Sequence, residues 1–434
     1  MMVEKIMSKY PVLEDFRNPH VLMGLIAYGV LTLALAFFIG NFWAALCFGL
    51  AAYAVIGNDA VQTLMTYIHS NSDVPSKILF AGVAIVLLGV LWYGYLTTGG
   101  DISYGRLDAK GYADVSVEWY FAIFPLILVF LTRFRGIPVS TSLLMLSIFS
   151  GTLLFQSIVL KSAAGYLVAF LASFFAWLGV EYTLKRISKV KNTEVLNFGG
   201  MLVKSGLAAM VIIAAIKYAL IPLLFSVFPN IGIPEISSFQ YFLYGAVIFL
   251  FVLGIFYESK ADDSVSRSSM FWRIAQTFTT VLLFSTWLMH DMVNIAVFLP
   301  SNIELHVMLL ISVLFILGLA YTFYINGGPV GNIVTKKTST NEIIAATMID
   351  LVYFVVLLIF KEWSNIPMST TWVFVGLLAG RQFAIRAINR IDVVKGPGRM
   401  NLAFKESWKD FSKIMVGLGI SVFALIVVRY LTGT

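Results

Sequence analysis

The sequence predicts an all-α polytopic membrane protein with about 10–12 transmembrane helices plus broken or re-entrant hairpins. Three observations carry that prediction. Of 434 residues, 59% are hydrophobic and only 12% charged, about half the charged share of a soluble domain. The apolar residues fall in many separate runs between Val21 and Val428, whereas a single leader or anchor would leave the remainder polar. Polar residues inside these runs recur in the same order in both halves of the chain. The solitary Cys47 excludes a disulfide framework and a thiolate metal site. Thirty Lys and Arg against 23 Asp and Glu give a net charge of +7. In a chain this apolar, that excess records loop orientation and does not imply nucleic acid.

A helix needs about 20 apolar residues to cross a bilayer. In chain order, such runs are expected at 21–40, 43–68, 78–97, 138–160, 163–183, 201–227, 239–257, 270–299, 305–325, 343–360 and 412–431. Shorter ones lie at 119–132 and 367–380. These two, and the segments around 138 and 285, are short or carry Gly, Pro, Ser and Thr in their interiors, which marks them as broken or re-entrant. The stretches 99–118, 258–273, 326–342 and 381–413 are the longest polar ones and read as loops. The basic stretches 185–191 and 381–413 belong in the cytoplasm by the positive-inside rule, and would also attract anionic lipid. In 99–118, Asp101, Asp108, Asp114 and Glu118 outweigh Arg106 and Lys110, as expected of the opposite face. The whole reads as one membrane domain in two halves, 1–200 and 201–434.

The halves share a plan. The first holds Gly57-Asn58-Asp59-Ala60-Val61-Gln62 and then Ile137-Pro138-Val139-Ser140-Thr141-Ser142. The second holds His290-Asp291-Met292-Val293-Asn294 and then Ile366-Pro367-Met368-Ser369-Thr370-Thr371. Asp59 precedes Ser140 by 81 residues, and Asp291 precedes Ser369 by 78. Repeated polar elements in matched order are the mark of an inverted-repeat secondary transporter with its site where the halves meet. An inverted arrangement also puts both basic stretches on one side, provided that 163–183 and 412–431 each cross once.

A carboxylate at membrane depth costs about 2.5–3.5 kcal/mol without compensation, so Asp59 and Asp291 need partners. Asn58 and Gln62 flank the first, and Asn294 lies one turn after the second. Carboxylate, amide and backbone oxygens at a helix break suit an alkali cation, and Na⁺ is the natural choice. The plainer alternative is that the acids are protonated or only tie helices together. The Pro-x-Ser-Thr elements read as helix starts, with proline in the first turn and a hydroxyl as cap. A helix starting inside the membrane turns its free N–H groups and positive dipole end on whatever lies ahead, which is an anion site. Ser140, Thr141, Ser142, Ser369, Thr370 and Thr371 would surround a small oxyanion, although such hydroxyls can equally serve only backbone and packing. Bare Asp59 and Asp291 would repel a dianion and cation-filled sites would attract it, so the two ligands should be coupled.

With these motifs the chain resembles the inorganic phosphate transporter family, the sodium- or proton-coupled carriers known as PiT. Each half of that family carries Gly-Ala-Asn-Asp-x-x-Asn followed by Pro-Val-Ser-Thr-Thr-His. The resemblance implies phosphate held by the Ser-Thr elements and Na⁺ or H⁺ held near Asn58, Asp59, Asp291 and Asn294. Gln62 stands where the family has Asn, Ser142 where it has Thr and His290 where it has Asn. The family's His after each Ser-Thr element is Leu143 in one half and Trp372 in the other. Gln62 and Ser142 keep oxygen ligands, His290 would shift coupling towards H⁺, and Trp372 would narrow the pocket. Sulfate is an alternative cargo on the same chemistry.

Asp350, mid-run in 343–360, has no acidic counterpart in the first half. It reads as a proton site or a hydrogen-bonded helix contact, with His290 the other candidate for a proton. No nucleotide-binding loop, His-Glu-x-x-His or Gly-x-Ser-x-Gly occurs, so the chain is not expected to be an enzyme and needs no resident cofactor. The expected partners are the oxyanion, its coupling ion and lipid. The chain is expected in the plasma membrane, and a homo-oligomer is compatible with all of this. A channel or receptor on the same fold is the alternative from another class.

Overall fold

The computed structural model describes residues 18–107, 116–134, 136–146, 149–150, 152–189, 265–338, 343–363, 366–392 and 398–432, and all regular structure among them is helical. Helix α1 (Pro19–Ile39) starts with the Asn18 side chain accepting from the His20 N–H and ends at Gly40, whose φ of 69° stops the helix. Helix α2 (Phe42–Val55), capped by Asn41, passes through a π-helical turn at Ile56–Ala60 into α3 (Val61–Ser70). That widened turn holds Asn58 and Asp59, and such turns are often found at functional sites. Helix α4 (Ser76–Thr97) follows Pro75.

A 3₁₀ turn (Trp119–Ala122), α5 (Ile123–Val129) and a π turn (Phe130–Phe134) form one short apolar rod. The next elements are the five-residue α6 (Thr141–Met145) and the long α7 (Thr152–Lys189). The second half comprises α8 (Val265–Ala296), α9 (Leu305–Tyr324), α10 (Gly328–Thr338), α11 (Ile343–Trp363), α12 (Thr370–Asp392) and α13 (Gly398–Thr432).

Among the described residues, seven helical spans are long and apolar enough to cross a bilayer, and the chain is an integral membrane protein. The span Phe42–Ser70 is central, with 83% of its most apolar window buried, against 11% for α1. Outer faces carry bare apolar side chains such as Phe37, Leu153 and Tyr430, as expected where the solvent is lipid. Helices α8 and α12, which carry much of the polar chemistry, fall outside those seven because of it.

Several expectations are corrected. The separate segments 138–160 and 163–183 are instead the short α6 and one continuous α7. Lys161 and Ser162 do not break α7, because the Lys161 ammonium donates to the Ile366 carbonyl at 2.6 Å and Ser162 Oγ donates to Ile158 O at 2.7 Å. The stretch 381–413 is not a loop, since its residues up to Asp392 and from Gly398 onward belong to α12 and α13. The polar stretch 326–342 contains α10. Residues 99–107, expected at the surface, include the buried Asp101, Ser103 and Arg106. The expected segments 201–227 and 239–257 lie outside the described residues.

Helices α7 and α12 form the most extensive helix pair of the described fold. Gly376 and Gly380, four apart on α12, let its backbone rest on the Tyr166 and Phe170 carbonyls, where a Cβ would collide. Small residues at this spacing are how membrane helices approach closely.

Candidate functional site

The four sequence motifs meet in the interior. Ser140 is 6% exposed, and Asn58, Asp59, Gln62, Thr141, Ser142, Asp291, Asn294, Ser369, Thr370 and Thr371 are each 2% or less. Residues 137–140 and 366–369 are non-helical approaches to α6 and α12. Proline keeps the residue ahead of it out of the helical region, and serine then caps. Ser140 Oγ accepts from the Leu143 N–H at 3.1 Å and Ser369 Oγ from the Trp372 N–H at 3.2 Å, the same cap in each half. The starts are unequal beyond that: α6 is five residues long and α12 twenty-three, so the dipole comes chiefly from α12.

The motifs cross between halves. Thr371 Oγ1 donates to Asp59 Oδ1 at 2.8 Å, and Gln62 Nε2 lies 3.4 Å from Thr371 Oγ1. In the other direction, Asn294 Nδ2 donates to Thr141 Oγ1 at 3.0 Å. Within halves, Thr370 Oγ1 donates to Asp291 Oδ2 at 2.6 Å, and Asn294 Nδ2 to Asp291 Oδ1 at 2.8 Å. Asn58 Nδ2 donates to the Val139 carbonyl at 2.7 Å and to Asp59 Oδ1 at 3.0 Å. Ser142 Oγ donates to the Met368 carbonyl at 2.7 Å, which fastens the first serine-threonine element to the second. Asp59 and Asp291 are near enough to act on each other electrostatically, and Thr141 also stands beside Asp59.

These bonds sort the six hydroxyls. Thr370 and Thr371 direct their protons at carboxylates and Ser142 at a backbone carbonyl. Ser140 and Ser369 accept, which leaves each with a proton to donate, while Thr141 accepts from Asn294 and turns towards Asp59. The acceptors are less well served: Asp59 Oδ2, Gln62 Oε1 and Asn294 Oδ1 are buried and receive no hydrogen bond. Buried oxygens without donors are costly, and a cation is one way to satisfy several at once.

The two proton candidates lie differently. His290 Nε2 bonds to the Leu357 carbonyl at 2.8 Å, so its ring is anchored on α11. Asp350 is fully buried between Thr66 of α3 and Thr280 of α8, whose hydroxyls donate to its two oxygens at 2.6 and 2.7 Å. None of the motif residues is among its hydrogen-bond partners. A cavity of about 270 Å³ between α1 and α9, lined by Tyr28, Tyr53, Tyr321 and Tyr324 among others, contains none of the expected site residues.

Sequence reasoning missed the cations. Lys161 and Ser162 hold the second Pro-x-Ser element: alongside the Lys161 bond to Ile366 O, the Ser369 N–H donates to Ser162 Oγ at 2.9 Å. Arg133 is buried against Gly57, with its guanidinium over the Tyr53 ring at 4.5 Å. Arg106 reaches α8 beside Asp291. The available signal was a lysine inside an apolar run, which reads as a site residue by default; for Arg106 the sequence offers none.

No family model and no curated protein matches the sequence. Among solved structures, one described as "The sodium-dependent phosphate transporter" is similar, with a TM-score of 0.51 at 17% identity. The match covers 89% of this chain and 98% of that one. At that identity the likeness is one of fold, and the chain has the fold of a membrane transporter.

Proposed function

We propose that this chain is a secondary active transporter that carries inorganic phosphate, or a closely related oxyanion such as sulfate, together with Na⁺ or H⁺. The observation that carries the reading is the crossing of the motifs, in which the hydroxyls of one half serve the carboxylate and amides of the other. The fold likeness to a protein described as a sodium-dependent phosphate transporter supports it.

The coupling follows from the hydroxyls. While Asp59 is bare, Thr371 spends its proton on that carboxylate. A cation on Asp59 would be met by the oxygen side of Thr371, and the hydroxyl would turn its proton towards an arriving anion. The proton-bearing hydroxyls of Ser140 and Ser369, with the start of α12, complete the anion's surroundings. A proton would satisfy only one of Asp59 Oδ2 and Gln62 Oε1, the two first-half acceptors left without a donor, whereas an alkali cation can take several oxygens, so Na⁺ is favoured over H⁺. The cell membrane, with the basic ends 185–191 and 381–413 facing the cytoplasm, is the location that the charge pattern favours.

Uptake of radiolabelled phosphate into proteoliposomes, with and without a Na⁺ gradient and at two pH values, tests this. Accumulation beyond equilibrium is expected, and Asp59→Asn should remove its cation dependence. Uptake that only equilibrates would indicate a channel, and competition by excess sulfate would widen the cargo.

A further inference from the structure

The segment 98–107 is built to a degree that a surface connection does not need. The Asp101 carboxylate accepts from the Ser103 N–H at 2.6 Å, Ser103 Oγ at 2.7 Å and the Gly105 N–H at 2.6 Å. Thr98 Oγ1 donates to the Asp101 carbonyl, the Tyr104 hydroxyl donates to Val90 O at 2.6 Å, and the Ile303 N–H donates to Gly100 O at 3.2 Å. Gly99, Gly100, Gly105 and even Tyr104, at φ 60°, take positive φ. This scaffold delivers Arg106 to α8. Its Nη1 donates to the Met289 and His290 carbonyls at 3.1 and 3.0 Å, and its buried Nη2 makes no hydrogen bond. Its charge acts on Asp291. Asp59 accepts from Thr371, Asn58 and Gln62 and faces Asp291 and Thr141. The nearby buried Arg133 lies against Gly57 and is spent on the Tyr53 carbonyl and ring, with no hydrogen bond to Asp59.

The geometry points to Arg106 as a built-in cation for the second half of the site, which compensates Asp291 in place of a coupling ion and leaves Asp59 as the carboxylate that binds one. A guanidinium is always charged, so a further cation at Asp291 would be repelled. The two motifs, alike in sequence, are then unlike in charge. Arg106 is a positioning residue that acts through Asp291. The inference rests on the transport reading, and its test is kept separate from it.

Binding of ²²Na⁺ to the purified full chain at equilibrium, in detergent and without phosphate, counts the sites directly. Arg106→Gln should bind about one more Na⁺ per chain than the wild type, because a bare buried carboxylate must then find a cation. Arg106→Lys should match the wild type, and Arg106→Gln with Asp291→Asn should lose the gain. Should Arg106→Gln fail to yield a folded, monodisperse protein, Asp291→Asn alone decides, and it should keep the wild-type count. An Arg106→Gln protein that binds no more Na⁺ than the wild type, or an Asp291→Asn protein that binds less, overturns the inference. A wild type that fails to concentrate phosphate would sink only the transport reading.

Discussion

Single side chains here are decided by burial. Asp73 and Arg273 form an ion pair at 2.6 Å, both substantially exposed, and the Arg273 guanidinium holds the Asp73 carboxyl below its ordinary range. Because the folded value lies below the unfolded one, this stabilisation is present at neutral pH and is lost as pH falls through the lowered value. Solvent screening keeps it small. Asp350, with two threonine donors and no exposure, is the opposite case. Asp73→Asn should leave the melting temperature nearly unchanged at neutral pH, whereas Asp350→Asn, which strands a hydroxyl donor in the interior, should cost about 1–3 kcal/mol. Thermal unfolding in detergent compares the two. Thr371→Val should reduce the dependence of phosphate affinity on Na⁺ by about 5-fold or more, on the usual scale of coupling energies, and Thr371→Ser should restore it. Titrations with phosphate at low and high Na⁺ would read this. Asp59, Asp291 and their amides were legible from the sequence, because a polar residue in an apolar run has few innocent explanations. Arg106 was illegible, because a loop's fold depends on contacts that no periodicity records.

Helices were legible where apolar runs end in turn residues, as at Asn18, Gly40, Asn41 and Pro75. The sequence reading failed at α7, where it expected separate segments at 138–160 and 163–183 with Lys161 and Ser162 between them. These two make contacts 205 and 207 residues away in the chain, and a helix whose polar groups find distant partners need not stop. The α7–α12 contact yields a prediction of its own. Alanine for glycine on an exposed helix would gain up to about 1 kcal/mol of propensity. At Gly380 the new Cβ would meet the Phe170 carbonyl, and overpacking costs about 1–3 kcal/mol. Because the obstacle is backbone and cannot swing aside, the cost wins, and Gly380→Ala should lower the melting temperature.

Across the whole molecule, the near-equal spacings of 81 and 78 residues between acid and serine are the basis for reading the sequence as two related halves. They could not show that Thr371 faces Asp59 while Thr141 faces Asn294, since which motif meets which is a matter of packing. On the proposed reading, crossed contacts of this kind would bind Na⁺ and the oxyanion into one equilibrium. Whatever factor Na⁺ adds to phosphate affinity, phosphate must add to Na⁺ affinity. Calorimetric titrations of phosphate with and without Na⁺ should return a factor of about 5 or more, and a factor of one would rule out coupling through these contacts.

The close seat of α12 on α7 also bears on movement. Lys161 and Ser162 clasp the segment that leads into α12, and the two glycines lock the helix behind it. In a transport cycle of the proposed kind, these two rods would travel as one piece, with slippage displaced to the boundaries with α8 and α11. Spin labels on the lipid-facing sides of the pair should report one unchanging separation, whichever side of the bilayer the cargo pathway faces.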